Sequence, residues 1–475
     1  MCRFRCSRHG SGTFSTEASR DWTVAVDVEG LRPATKYFYR FSVGKLHSVV
    51  GETKTTASGH LEEMTFAQVC CSNWGFGRFH VYDLATRVDG LDFVLHCGYG
   101  KGYYPECRFQ ARHGLRPKHQ CKTLDDFRQR YACYRTDPDL QELHRRFPWV
   151  CVWDDHEIAD TASVTAFAEW VPVRGLHPGA PDLAGCHRTL HFGDLATLWE
   201  DGPSMQSAKE EFLAQLADPQ RELIGAQQVA DVRQAVQESV AAGRPWQVFL
   251  SQTVFSQLRA PKLGETVGPA APPAGLDLQL MEAFSTPGCN AVVLAGDSHN
   301  AWAHELLDKR GRRVGVEFDA QAVTCPGFAE DIYSRFQSQA RISHVASAHR
   351  ASILQVGRLA NLFPLYLFTP WVEDSLQAAN PSTLRFCNLN QRGMVLHHVT
   401  HGRWHAEFHF VNGVTEKDYR NYVGAAFNVE QGRRGMLHRA FRHLTIDKEI
   451  PKRQQSKRSA FLRLLRGTRS IDKQP

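Results

Sequence analysis

No stretch of this chain supplies the roughly 20 consecutive apolar residues that a helix needs to span a bilayer. The opening residues, MCRFRCSRHGSGTF, lack the apolar core of a secretory signal, so the chain as given is expected in the cytoplasm. Its 13 cysteines are odd in number, irregularly scattered and without a Cys-x-x-Cys pair, which argues against a disulfide framework and a structural zinc site. Net charge is small as well: a formal +6 is mild for 475 residues and indicates no specific nucleic-acid or membrane partner. The basic residues that do cluster lie between Arg433 and Lys473, a tail that could touch anionic surfaces or simply stay solvated. With 42% hydrophobic and 22% charged residues, the composition is that of an ordinary globular protein, long enough for two domains.

What is present is concentrated chemistry. Phe147 to Asp160 reads FPWVCVWDDHEIAD: an apolar, β-branched run suited to a buried strand, followed at once by Asp154, Asp155, His156 and Glu157. Four titratable groups at the end of a buried strand repel one another and are costly to desolvate unless a cation or substrate compensates them. The carboxyl ends of strands are where open α/β sheets place their ligands. A helix N-cap explains one of these carboxylates but not the cluster.

Asn290 to Asn300, NAVVLAGDSHN, repeats the design. A short strand over Ala291–Ala295 breaks at Gly296 and presents Asp297 and His299 two residues apart. Carboxylate oxygen with imidazole nitrogen suits iron, manganese or zinc, and glycine permits the sharp turn that aims both at one site.

The rest of the chain divides into segments. Residues 1–60 read as a small β unit, with alternation over Trp22–Val28 and a Leu31-x-Pro33-x-Thr35-x-Tyr37 pattern like the tyrosine corner of a fibronectin-type sandwich. Only three or four strands fit where about seven are expected, so the domain reads as truncated at its front. From Met64, strands alternate with helical patterns: strands near Phe66–Cys71, Leu91–His96, Trp246–Leu250, Arg313–Phe318 and Met394–Phe410, helices over Thr123–Tyr134 and Gln227–Ala242. This α/β region is bounded at 61–430, with the tail at 431–475. Cys71 ends the first of these strands; taken alone, it is a small buried hydrophobe as readily as a thiolate ligand.

Taken together, Cys71-Ser-Asn73-Trp74, Trp153-Asp-Asp-His-Glu157, Gly296-Asp-Ser-His299, Val314-Gly-Val-Glu-Phe318, Thr324-Cys-Pro-Gly327 and Asn390-Gln-Arg-Gly393 resemble, in order and spacing, the alkaline phosphatase D (PhoD-like) family over roughly residues 20 to 430. The resemblance implies a calcineurin-like metallophosphoesterase sandwich behind a small β domain. It implies hydrolysis of small phosphate mono- and diesters with calcium and ferric iron, other divalent metals being open to the same donors. Family members are commonly exported. By the same resemblance Cys71, Asp155, Asp297 and His299 are metal ligands and His156 stabilises or protonates the leaving oxygen. Asp154 and Glu157 order the loop or help hold calcium, and Asn73 and Glu157 face substrate.

Two stretches depart from the family. After His96 its Leu-Gly-Asp-Tyr-Ile-Tyr-Glu becomes Cys97-Gly-Tyr99-Gly-Lys101-Gly102-Tyr103-Tyr104, so the bridging aspartate is Tyr99 and the tyrosinate ligand falls on Gly102, with Tyr103, one residue on and preceded by the flexible Gly100 and Gly102, the metal ligand expected in its place. Near residue 200 the family's Leu-Asp-Thr-Arg becomes Leu198-Trp-Glu-Asp201, an acid where a phosphate-binding arginine is expected. Two functions follow as alternatives: a metal-dependent phosphoesterase with impaired activity, or a degenerate homologue that keeps the sandwich for binding or structure.

Overall fold

The computed structural model describes residues 2–6, 10–98, 111–153, 161–174, 176, 188–200, 225–256, 258, 276–328, 330, 365–433 and 437–439. The first sheet contains β1 (Cys2–Cys6), β2 (Gly10–Phe14), β3 (Lys36–Val43), β4 (Leu46–His47) and β5 (Gly51–Lys54), in the order β2-β1-β3-β4 with β5 also paired to β3. That is five strands, more than the pattern suggested. Trp22–Val28 is not among them: its residues alternate between half-buried and exposed from Val24 onward, and Val26 and Val28 pack near Tyr37, but no described strand pairs with the segment. Alternation reports which way side chains face, whereas a ladder also needs a neighbour. Tyr37 is 2% exposed, and its phenol accepts the Arg32 N–H at 2.8 Å, the bond of a tyrosine corner.

Next come β6 (Glu63–Cys70), α1 (His80–Thr86), β7 (Phe93–Cys97), α2 (Leu124–Tyr134), α3 (Pro138–Arg146), β8 (Trp149–Val152) and α4 (Thr161–Trp170). Strands β6, β7 and β8 are parallel neighbours. At the start of α2, Thr123 and Asp126 accept each other's backbone N–H, a reciprocal cap that fixes where the helix begins. The chain then forms β9 (Arg188–Phe192), β10 (Ala196–Glu200), α5 (Gly225–Ala241), β11 (Trp246–Leu250), α6 (Leu276–Phe284), β12 (Ala291–Ala295), β13 (Ala301–Leu307) and β14 (Arg313–Asp319). It ends with α7 (Leu365–Ala379), β15 (Leu384–Asn388), β16 (Arg392–Thr400), β17 (Arg403–Val411), β18 (Asn421–Glu430) and β19 (His438–Arg439).

Two seven-stranded mixed sheets result, ordered β15-β13-β14-β12-β11-β10-β9 and β19-β18-β17-β16-β6-β7-β8. Their inner faces share one core: Phe66 and Leu95 from one sheet meet Trp246, Val316 and Phe318 from the other, and the Trp246 and Trp404 rings lie 5.7 Å apart, edge to face. One polar chain crosses this core. Trp404 Nε1–H donates to His397 Nδ1 at 2.9 Å, which puts the His397 proton on Nε2, 2.9 Å from Gln68 Oε1. Gln68 Nε2 in turn donates across the sandwich to the carbonyls of Ala295 and Phe318, at 2.9 and 3.1 Å. Burial pushes His397 down to about 3, so the ring stays neutral.

The second large sheet also runs past residue 431, where the charge pattern put the start of the tail. Strand β19 pairs with β18, and Leu437 is packed in the shared core and donates its N–H to Glu305 at 3.0 Å. Residues 440–475 lie outside the described part. No described helix is long and apolar enough to cross a membrane.

Candidate active site

The parallel strands of both large sheets end at one edge, and backbone contacts sew those ends together. Val323 donates to the Cys70 and Cys71 carbonyls at 3.0 and 2.9 Å, Ala320 to Ala295 at 2.9 Å, and Gly98 to Val152 at 3.2 Å. Gly296 sits where the two sheets press together. A Cβ there would lie 2.6 Å from both Cys70 Sγ and the Cys97 carbonyl oxygen, so only glycine lets β12 end against β6 and β7.

Beyond Gly296 the backbone turns sharply. Ser298 N–H reaches back to the Gly296 carbonyl at 2.7 Å, and Asp297 N–H points at Cys70 Sγ, 3.2 Å away. Asp297 and His299 both have φ of +60°, a left-handed conformation that residues with a Cβ adopt only under constraint. Two such residues separated by one serine are a local cost concentrated on the two predicted donors. His299 Nδ1 lies 2.6 Å from the Pro326 carbonyl. A carbonyl only accepts, so Nδ1 carries the proton and Nε2 keeps its lone pair. A hydrogen bond on the far nitrogen is how metal-binding imidazoles are oriented.

The Thr324–Gly327 motif therefore acts as a brace. Thr324 Oγ1 accepts the Asn73 N–H at 2.7 Å and donates to the Asn73 carbonyl at 2.9 Å, while Pro326 holds His299. Gly327 donates to Glu330 at 2.9 Å, and Glu330 pairs with Arg392, which is 5% exposed, at 2.5 Å. Behind the site, Glu317 accepts the N–H groups of Phe255 and Ser256 at 2.6 and 2.8 Å. Burial, and then the neighbouring Glu317, push the Asp319 carboxyl well above its ordinary range, and burial raises Glu317 as well.

The sequence of this region matches the family described as PhoD-like phosphatase over residues 66–161 and 159–408, and residues 3–57 match its N-terminal domain. The chain belongs to the PhoD-like phosphatase family. It is 28% identical over 364 residues to alkaline phosphatase D of Bacillus subtilis (strain 168), a match covering 67% of this chain and 61% of that protein. The chain thus spans about 61% of the length of that curated relative. A solved structure titled "Structure of PhoD" superposes with a TM-score of 0.70 at 23% identity, covering 98% of this chain and 91% of that one. The architecture is therefore the calcineurin-like α/β fold of PhoD.

Of the expected PhoD-like ligands, Asp297 and His299 share one turn, and Cys71 stands at the same edge. Cys71 is fully buried, its sulfur 3.3 Å from that of Cys70, which the Asp297 amide contacts. Asn73 is at this edge too, its Oδ1 receiving the Phe76 amide at 3.3 Å, so the side chain shapes its own loop. Asp154, Asp155, His156, Glu157 and Tyr103 lie outside the described residues, as do Tyr99, Gly102 and Asp201. The strand leading to the acidic run does end here: Val152 bonds Gly98 beside Cys97, and Trp153 packs on Phe167 with ring centres 5.1 Å apart. Sequence reasoning gave no role to Thr324 or Pro326, although their motif was in view. A carbonyl 27 residues downstream of His299 leaves no side-chain signature.

Proposed function

We propose that this protein hydrolyses small phosphate esters, mono- or diesters, at the carboxyl edge of its two large sheets. The observation that supports this best is the Asp297–His299 turn, strained at both donors, with His299 oriented by the bond from its Nδ1–H to the Pro326 carbonyl. Cys71, His299 and Asp297 offer thiol, imidazole and carboxylate, the donor types a transition ion such as ferric iron takes, although their ligand atoms do not all lie within 4.8 Å of one another and a bound ion would have to draw them together. The oxygen-rich set that calcium needs would draw on Asp297 with Asp154, Asp155 and Glu157. When bound, such cations neutralise phosphoryl oxygens and lower the pKa of the attacking water. The chain's own groups do the rest. Asn73 orients the phosphate; water adds to phosphorus as the ester P–O bond breaks; His156 delivers a proton to the departing oxygen.

A second reading, a homologue kept for binding or structure, is favoured by Tyr99, Gly102 and Asp201. A tyrosine must lose a proton of pKa about 10 before serving as an anion, and its single oxygen bridges two cations less well than a carboxylate. Turnover is therefore expected roughly 10²-fold or more below that of relatives with the aspartate. One experiment separates the readings: metal content and turnover of a chromogenic phosphodiester for the protein, His299→Ala and Tyr99→Asp. Hydrolysis and bound metal should both fall in His299→Ala and both rise in Tyr99→Asp. Equal background rates in all three at full metal loading would make the binding reading the correct one.

A further inference from the structure

The opposite edge of the sandwich, where β6 and β10 begin, also gathers metal-ligating groups. His60 stands in the segment entering β6, Asp194 in the turn between β9 and β10, and His401 in the turn between β16 and β17. Asp194 Oδ2 is 2.9 Å from His60 Nδ1, and its Oδ1 is 3.3 Å from His401 Nε2. The two imidazoles lie nearly parallel with centres 5.1 Å apart, and one donor atom from each of the three residues falls within 4.8 Å of the others. Asp194 is held in place before any ligand arrives. Its Oδ1 accepts the Leu61 N–H at 2.9 Å, and its own N–H donates to the Gly59 carbonyl at 3.0 Å. Gly193, at φ +54°, presses so close to Gly59 that a Cβ would come within 2.3 Å of that carbonyl oxygen.

We propose that His60, Asp194 and His401 bind one divalent transition-metal ion of the zinc, cobalt or nickel class, clamping the two large sheets together at the edge remote from the candidate active site. Two imidazoles and one carboxylate are the borderline donors such ions select over calcium or magnesium. All three side chains are solvent-accessible, at 71%, 45% and 40% for His60, Asp194 and His401, so water completes the coordination shell. The residues come from both sheets. His60 and His401 flank the paired β6 and β16, whereas Asp194 belongs to the facing sheet, so an ion shared by the three resists their separation. Occupancy stabilises the fold by mass action, because the unfolded chain does not bring these positions together.

The test is zinc titration of the full chain against the double variant His60→Gln/His401→Gln, by calorimetry and by thermal unfolding, with Asp297 and His299 intact in both. The variant should bind one equivalent fewer. It should also lack a rise in Tm of a few degrees that zinc gives the unmodified protein at about a hundredfold excess over its dissociation constant. Zinc-soaked crystals should show an anomalous peak between the three side chains. Equal stoichiometry and equal Tm shifts in both proteins, or no peak at this position, overturn the proposal whatever happens at the other edge.

Discussion

Gly296 decides how closely the two sheets approach, because a methyl group there meets backbone on one side and a sulfur on the other. Neither the Cys97 carbonyl nor the end of β6 can retreat without breaking ladder bonds. Gly296→Ala is therefore expected to cost about 1–3 kcal/mol and to lower metal affinity together with stability, read from denaturant midpoints and metal content. Asp297 and His299 are the reverse case. Their left-handed backbone costs stability, on the order of 1 kcal/mol each, and packing is not a sufficient reason for it. Asp297→Gly should abolish hydrolysis while the unfolding midpoint holds or rises, and a clear fall in midpoint would show that the turn serves the fold.

Among the elements, the crossing from Trp404 through His397 and Gln68 to Ala295 ties β17, β16, β6 and β12 into one unit just beneath the candidate site. Replacing Gln68 by Leu leaves the buried His397 N–H without its partner and takes one donor each from the Ala295 and Phe318 carbonyls. A loss of roughly 2–4 kcal/mol is expected, measured as a lower urea midpoint with unchanged m. This network illustrates what could be read in advance. Strand β12 was legible to the residue because its five apolar residues are bounded by Asn290 and Gly296, and α2 was legible from its cap. Strands β18 and β19 were not: β18 carries Gly424 and two asparagines, and β19 is two residues long, so pairing rather than propensity makes them strands. The donors themselves were visible as residue types at tight spacing. What fixes them was not, since Pro326 acts through a carbonyl and Gly296 through the absence of a side chain.

For the molecule as a whole, two fully buried histidines set an acid limit. Burial pushes both His304 and His397 from 6.5 down to about 3. Between those values the unfolded chain binds two protons that the folded chain refuses, so stability rises with pH across the window and falls as pH drops from about 6.5 towards 3. Urea unfolding at about pH 5 should show up to about 4 kcal/mol less stability than at pH 7 from these two groups, with His397→Gln recovering the slope of one proton. The docking of the sheets at Gly296 bears on kinetics as well. The segments it joins, at Cys70 and Asp297, are 227 residues apart in sequence, so the donors at that edge come together only once distant parts of the chain have met. Contacts of such long range form late. Metal captured there would leave the refolding rate unchanged and slow unfolding, acting as a latch that drops after the door has closed.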